Sequence, residues 1–361
     1  MAAGEGTGCV LLSAGMVVSI LTAAQAGAAV GGACYNCHTM HNSQAGGVVD
    51  EGNQSFLLIS GCVGCHSHEG TATIVQMGAT RIPIVYNTGN APEQMLAGGN
   101  FHWVAENGDQ FGHNVLGISE QDQILGTAPG GSAGCANSCH QSLALATVNV
   151  PGAGSLTPED GCRNCHGSVR HHGEPLAPGQ PATEASGWYR FLKAPDFHGF
   201  ASTKPGISGI GDPDWEQNPT SEQHNVYVAG DGSPNPKPRP LSKFCTGCHQ
   251  NFHAPGGDAN GGGSSPWLRH PTNIAIPDQG EFSSIIGAAY NPLVPVSKPS
   301  LSGFNIAVVE PGDQVACVSC HRAHGSPYPD MLRWDYAKMT AHDAGDAAGT
   351  GCFYCHTQKD G

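Results

Sequence analysis

One short pattern, two cysteines followed at once by a histidine, occurs seven times in this chain of 361 residues. Six copies have the regular spacing C-x-x-C-H, and one copy has an additional spacer residue. In chain order the copies are Cys34, Cys37 and His38; Cys62, Cys65 and His66; Cys135, Cys139 and His140; Cys162, Cys165 and His166; Cys245, Cys248 and His249; Cys317, Cys320 and His321; and Cys352, Cys355 and His356.

The pattern is typical of covalent haem attachment. Two thiols add to the two vinyl groups of one porphyrin, so they must lie about one turn of chain apart. The residue that follows them then lies beneath the iron, where an imidazole nitrogen is the proximal ligand. The stretched copy at Cys135 keeps all three groups. We therefore predict seven haem c groups in each chain.

Two other uses of paired cysteines are less consistent with the sequence. Zinc sites and redox-active dithiols also contain C-x-x-C, but neither requires a histidine directly after the second cysteine. Fourteen of the 15 cysteines belong to the haem pattern, and only Cys9 lies outside it. For the stretched copy, a disulfide between Cys135 and Cys139 is the alternative.

The composition predicts a fold with little regular secondary structure. The chain has 52 glycines and 26 prolines, and only 12% of its residues are charged. Glycine and proline at this level disfavour long helices and interior strands. Porphyrin plates and iron bonds can replace a conventional core. We expect a mostly irregular chain with few short helices, wrapped around a continuous stack of haems. One short helix is predicted after Asp330, with Leu332, Tyr336 and Met339 on one face.

The N-terminal segment resembles an export signal. Residues 9–30 are almost free of charge, and Ala24-Gln25-Ala26 has the small-residue pattern of a cleavage site. The predicted organisation is a signal peptide at 1–26, followed by a single heptahaem domain at 27–361. A buried helix or a retained membrane anchor are the alternatives for this segment. A formal charge of −14 excludes a basic nucleic-acid surface, so no nucleic acid is expected as a partner.

The sixth iron ligand decides what a haem can do, because a second histidine closes the iron while an empty face admits substrate. Twelve of the 19 histidines lie outside the motifs. Some closely follow a motif, and two lie in the repeated tripeptide His-Asn-Val. The predicted distal ligands are His41, His253, His324, His113, His224, His270 and His171.

One stretch leaves a choice open. Arg170-His171-His172-Gly173 is expected to supply one ligand, and His171 is preferred over His172. The histidines expected not to bind iron are His68, His102, His198 and His342. Methionine ligation by Met40, Met77 or Met95 is the alternative at any one iron.

Several of these segments resemble a known family. Cys34-x-x-Cys-His-Thr-Met-His-Asn-Ser43, Gly-His-Asn-Val, Arg-His-Pro, Cys317-x-x-Cys-His-Arg-Ala-His-Gly325 and a final motif near the C-terminus are similar to outer-surface multihaem cytochromes of metal-respiring bacteria. The similarity is greatest to the OmcS-like cytochromes that polymerise into extracellular nanowires. It implies bis-histidine haems in a continuous stack and implies that His41 ligates a haem of the next subunit. The copy at Cys135–His140 has no counterpart in that six-haem pattern.

The leading hypothesis is a secreted electron conduit without catalytic residues. It would form a head-to-tail homopolymer, exchange electrons with other cytochromes, minerals or electrodes, and have no membrane span in the mature chain. The alternative is a multihaem oxidoreductase acting on nitrite, hydroxylamine or a sulfur oxyanion. Such an enzyme needs one open iron, whereas every motif here ends in histidine and further histidines outnumber the motifs.

Overall fold

The computed structural model describes part of the chain. The described residues are Met1, 30–49, 55–125, 128–130, Leu143, 158–193, 206–230, 239–249, Phe252, 263–264 and 267–359. The proposed signal peptide, apart from Met1, and the stretched motif Cys135, Cys139 and His140 lie outside them, as does His253.

Short elements separated by irregular chain make up the fold, as the composition predicted. The α-helices of the described residues are α1 (Cys62–His66), α2 (His102–Asn107), α3 (Pro158–Arg163), α4 (Leu241–Cys245) and α5 (Cys317–Cys320). The strands are β1 (Ser43–Gln44), β2 (Gly47–Val48), β3 (Ser67–His68), β4 (Ile74–Met77), β5 (Thr80–Pro83), β6 (Tyr86–Asn87), β7 (Gly209–Ile210), β8 (Val226–Val228), β9 (Gly263–Ser264), β10 (Trp267–Leu268), β11 (Val296–Lys298) and β12 (Gln314–Val315).

The largest sheet of the described chain has the strand order β12-β11-β8-β7. Its two central strands are parallel, with Ser297 opposite Tyr227, and each outer strand is antiparallel to its neighbour. The other strands form two-stranded pairs. Buried apolar side chains form small separate clusters beside these elements, such as Ile285, Val296 and Val309.

A buried ion pair holds the central sheet to the loop that leads into β12. Lys298 ends β11 and is 1% exposed, and its ammonium group donates to Asp313 Oδ2 at 2.8 Å. It also donates to the Val308 carbonyl at 2.7 Å. A buried charge is tolerated only when it is paired and hydrogen-bonded, and these contacts satisfy that requirement.

The prediction of a helix after Asp330 is wrong. The segment instead forms two short 3₁₀ turns, Pro329–Met331 and Tyr336–Lys338, joined by extended chain. Asp330 and Met331 have φ angles of 60° and 58°, in the left-handed region, which a continuous right-handed helix excludes. Leu332 pairs instead with His321 in an isolated β-bridge, so a long-range contact overrides the local helical pattern.

Helices in the described residues are all too short and insufficiently apolar to cross a membrane.

The ion pair at Lys298 makes a stability prediction. Replacing Lys298 with methionine leaves the Asp313 carboxylate buried without its counter-charge, which costs about 3–5 kcal/mol of unfolding free energy. Denaturant titration of the haem-loaded protein, followed by circular dichroism, measures this loss. Lys338→Met removes an exposed lysine and should change the free energy by about 0.5 kcal/mol or less. Equal losses in both variants would contradict the assigned role of the pair.

A row of paired imidazoles as the candidate haem site

Each described motif folds into one helical turn, which places its two sulfurs and its imidazole together. The motif at Cys62 is α1 itself, and α5 contains both cysteines of the motif at Cys317. In the motif at Cys34 the backbone N–H of His38 donates to the Cys34 carbonyl at 2.8 Å. The same bond recurs from His166, His249, His321 and His356 to the first cysteine of each motif. No disulfide links two of the described cysteines.

Five of the six described motifs lie along one large cavity. Its volume is about 2510 Å³, well above the ~300–1,000 Å³ of a typical small-molecule pocket. His38, His66, His166, His249 and His321 line it, together with apolar side chains such as Leu96 and Phe101. His356 does not belong to this lining. The cavity is large enough for several porphyrin plates, which agrees with a chain that wraps its cofactors instead of a conventional core.

Five motif histidines each face a second histidine from outside the motifs. The ring centres are 6.1 or 6.2 Å apart in every pair. The pairs are His38 with His172, His66 with His171, His166 with His324, His249 with His113, and His356 with His270.

This separation fits an iron between the rings. Metal–imidazole bonds of about 2 Å on each side put the two ring centres roughly 6 Å apart. Direct stacking gives a shorter distance, as in the contact of His224 with Tyr290 at 3.7 Å. Because each pair combines one motif histidine with one non-motif histidine, these residues can provide both axial ligands of a haem.

Hydrogen bonds fix the orientation of these rings. The Nδ1 atom of His66 lies 2.8 Å from the Pro83 carbonyl, and His166 makes the same contact with Arg190. A carbonyl oxygen can only accept a hydrogen bond, so Nδ1 must carry the proton. Nε2 is then the nitrogen that can bind iron. Comparable carbonyl contacts orient His38, His249, His321, His113 and His270.

The last motif has a different partner for Nδ1. His356 Nδ1 lies 3.2 Å from Glu281 Oε1, and the Lys359 ammonium lies 2.7 Å from the same oxygen. The hydrogen bond from Lys359 is the main cause that lowers the pKa of Glu281, with a further contribution from His356. This side chain is therefore a carboxylate at neutral pH.

Burial lowers the pKa of several of the paired imidazoles. It lowers the pKa of His324 to about 3, and the neighbouring His166 and His113 add to the effect. Burial is also the main cause that lowers the pKa of His166 and of His113. A neutral imidazole has a free lone pair that can bind a metal. Near neutral pH, protons therefore do not compete with a metal for the ring nitrogens of His324, His166 and His113.

Neighbouring motifs along the chain are also neighbours in space. Burial and then Cys37 raise the pKa of Cys65, and burial and then Cys248 raise that of Cys165 to about 12. A hydrogen bond joins Cys245 to Cys317 and lowers the pKa of Cys317 to about 7.

Two further contacts complete the series. His66 helps to lower the pKa of His166, after burial, and Cys352 helps to raise that of Cys320 to about 12, again after burial. In the haem-loaded protein the sulfurs would be thioethers and would not titrate. The pKa shifts of the free thiols therefore show only which motifs lie close together. The six described motifs therefore form one row in chain order, from His38 to His356.

Both histidines of the Arg170–Gly173 stretch enter the row, whereas one was expected. His171 faces His66 and His172 faces His38. Burial lowers the pKa of His171, as do the neighbouring rings of His66 and His172. The sequence alone predicted one ligand from this stretch, with His171 preferred, and did not place His172 opposite a motif histidine.

Among the described residues, no motif histidine lies opposite His224. Its Nδ1 lies 2.7 Å from the Asn225 carbonyl and its Nε2 lies 3.0 Å from the Ile306 carbonyl. Both nitrogens are thus occupied, and the ring stacks on Tyr290. His102, expected as a non-ligand, directs Nδ1 at the Asn87 carbonyl, 2.8 Å away.

Besides His224, two predicted ligands have no in-chain counterpart in the described residues. His41 is exposed, and among the described residues no motif imidazole faces it. His321 lacks a second imidazole within the same part of the chain, although Asp330 orients its ring. The predictions for Cys135, Cys139, His140 and His253 fall outside the described residues.

Comparison with known proteins agrees with this geometry. Residues 308–361 match the family described as "Doubled CXXCH motif". The C-type cytochrome OmcS of Geobacter sulfurreducens is 25% identical over 365 residues, covering 84% of this chain and 79% of the relative. The solved Outer Membrane Cytochrome S filament from the same organism has a TM-score of 0.51 at 21% identity, covering 88% of this chain and 86% of that one. A second structure, of OmcS nanowires, has a TM-score of 0.50 and 21% identity over 91% and 90%.

The motifs, the paired imidazoles and the homology together support haem c as the cofactor, as in multihaem c-type cytochromes. The chain is homologous to OmcS, which confirms the resemblance seen in its motifs. This homology supports the prediction of electron transfer over the alternative of a multihaem oxidoreductase. The predicted fold class is also confirmed.

The two adjacent histidines provide a direct test of the pairing. His172→Ala should convert the iron attached at Cys34 and Cys37 to high spin, and His171→Ala should do the same at Cys62 and Cys65. Electron paramagnetic resonance of the oxidised protein counts these irons, and the double variant should show two. The exposed His342 provides the control, because His342→Ala should leave every iron low-spin. If only one of the two single variants creates high-spin iron, the stretch supplies one ligand.

Proposed function

We propose that this protein is a secreted seven-haem c-type cytochrome that conducts electrons as an extracellular filament. The observation that carries the proposal is the row of five imidazole pairs in chain order. Haem c, when bound, supplies a one-electron couple at each position of such a row. The chain supplies the axial nitrogens, the spacing and the apolar surroundings.

The pairing does not favour a reductase. A catalytic haem needs an iron face that substrate can reach, and at five positions a second imidazole occupies that face. Homology to a cytochrome supports the same conclusion. The electron partners that we propose are other cytochromes, minerals or electrodes.

The seventh haem lies beside the row in our proposal. Gly130 is the last described residue before the stretched motif, and it lies against the Phe252 ring. The preceding residue, Pro129, accepts the Nδ1–H of His249 with its carbonyl. Cys135 is five residues further on, within about 18 Å of chain. His253 directly follows Phe252, so we propose His253 as the second ligand of the His140 iron.

We propose that His41 of one subunit ligates the His321 iron of the next, since the resemblance to nanowire-forming cytochromes implies an inter-subunit role for His41. The surface around the first motif supports a subunit contact there. Tyr35, Met40, Val48 and Phe56 are between 66% and 85% exposed, a concentration of apolar surface typical of an interface. A head-to-tail contact of this kind does not close on itself and therefore generates an open polymer. The solved relatives are filaments, which supports this assembly.

Secretion is proposed from the sequence of the leader. Removal of residues 1–26 would leave 27–361 as one heptahaem domain and would place His41 near the new N-terminus, where chain segments are commonly free to reach another molecule.

Intact-mass spectrometry of the secreted protein tests both the leader and the haem count. We expect the mass of residues 27–361 plus seven haems. Cys135→Ala with Cys139→Ala should lose one haem, because those sulfurs hold the seventh. Six haems in the unmodified protein would limit attachment to the regular motifs, and a mass that includes Cys9 would refute cleavage at Ala26.

The filament proposal is tested by two matched variants. His41→Ala should abolish filaments in electron micrographs and turn one iron high-spin, whereas His253→Ala should turn one iron high-spin and leave filaments intact. Added imidazole should restore low spin to His41→Ala without restoring filaments, because the free ligand does not join subunits. Filaments with all irons low-spin in His41→Ala would contradict the proposal.

A further inference from the structure

The proximal histidine of the last motif has an environment unlike those of the other described motifs. Five motif histidines direct Nδ1 at a backbone carbonyl, whereas His356 directs it at the Glu281 carboxylate, 3.2 Å away. The same carboxylate oxygen accepts a hydrogen bond from Lys359 at 2.7 Å. Glu281 therefore bridges the Lys359 ammonium and the ring that would hold the iron, and the same ammonium lies 3.4 Å from His356 Nδ1.

The local structure fixes Glu281 in this position. It lies in the 3₁₀ turn Gly280–Phe282, and its backbone carbonyl accepts a hydrogen bond from the Thr357 hydroxyl at 2.6 Å. The Phe282 ring packs edge-on against the His356 ring, with centres 5.2 Å apart. Only 18% of the Glu281 side chain is exposed. The turn and the residue after His356 thus hold the carboxylate against the imidazole.

A carboxylate is a stronger acceptor than a carbonyl because it carries a full negative charge. When Nδ1–H donates to it, electron density moves towards the imidazole ring and Nε2 becomes more basic. A more basic axial nitrogen stabilises ferric iron relative to ferrous iron. Hydrogen bonding of this kind is one of the ways in which a protein adjusts the potential of a haem.

We propose that Glu281 is a positioning residue that lowers the reduction potential of the haem attached at Cys352 and Cys355, and that Lys359 limits the effect. This inference rests on the proposed haem at that motif. The motif is the last of the row, so in a polymer the adjustment would recur once in every subunit, at the end opposite His38.

Spectroelectrochemical titration of the haem-loaded protein tests the proposal. Glu281→Gln keeps the shape and the oxygen acceptor but removes the charge, so one-seventh of the absorbance change should move to higher potential. Lys359→Gln should move the same fraction to lower potential. Electron paramagnetic resonance provides the second readout: Glu281→Gln should widen the g spread of one low-spin iron, and Lys359→Gln should narrow it.

Asp278→Asn is the matched control, because it removes an equal charge from an exposed side chain three residues away. It should leave the g values unchanged. The proposal is overturned if Glu281→Gln behaves as Asp278→Asn does, or if the Glu281 and Lys359 variants shift the potential in the same direction. Haem mass and low-spin intensity are measured first, so a missing haem at Cys352 would count against the proposed function and not against the role of Glu281.

Discussion

The bond between an imidazole nitrogen and an iron is the interaction on which the rest of the structure depends. Each proposed pair joins segments that are distant in the chain, such as His249 and His113, across a single metal atom. In the proposed function these cross-links, with two thioethers at every motif, would constrain a chain too rich in glycine and proline to build long elements. The small sheets and separate apolar clusters would then fill the spaces between motifs, and electrons would travel through the cofactors that hold the fold together.

The sequence indicates the proximal side of this site more directly than the distal side. Covalent attachment fixes the spacing of two cysteines and a histidine, so every motif can be read locally. A distal histidine has no such local requirement. His113 and His224 share the tripeptide His-Asn-Val, yet His113 faces a motif imidazole while both ring nitrogens of His224 lie close to backbone carbonyls. The role of Glu281 is harder still to predict from the sequence, because its contact with His356 forms only when the chain folds.

The fold, like the site, is predictable from the sequence only where local residues determine it. Composition correctly predicts short elements and much irregular chain, because glycine and proline act locally. The parallel pairing of β8 with β11 depends on contacts between residues far apart, such as Tyr227 and Ser297, which no local pattern indicates. In the segment after Asp330 the local pattern is misleading. Its spacing is helical, but Leu332 pairs with His321 in a β-bridge and no continuous helix forms.

The most direct test of the account is the position of the irons. Cryo-electron microscopy of the haem-loaded protein, at a resolution that places imidazole rings, would locate them relative to the five pairs. The account predicts one iron midway between the two rings of each pair, including His66 with His171 and His38 with His172. An iron coordinated by His224, or a motif iron left without its paired histidine, would contradict it.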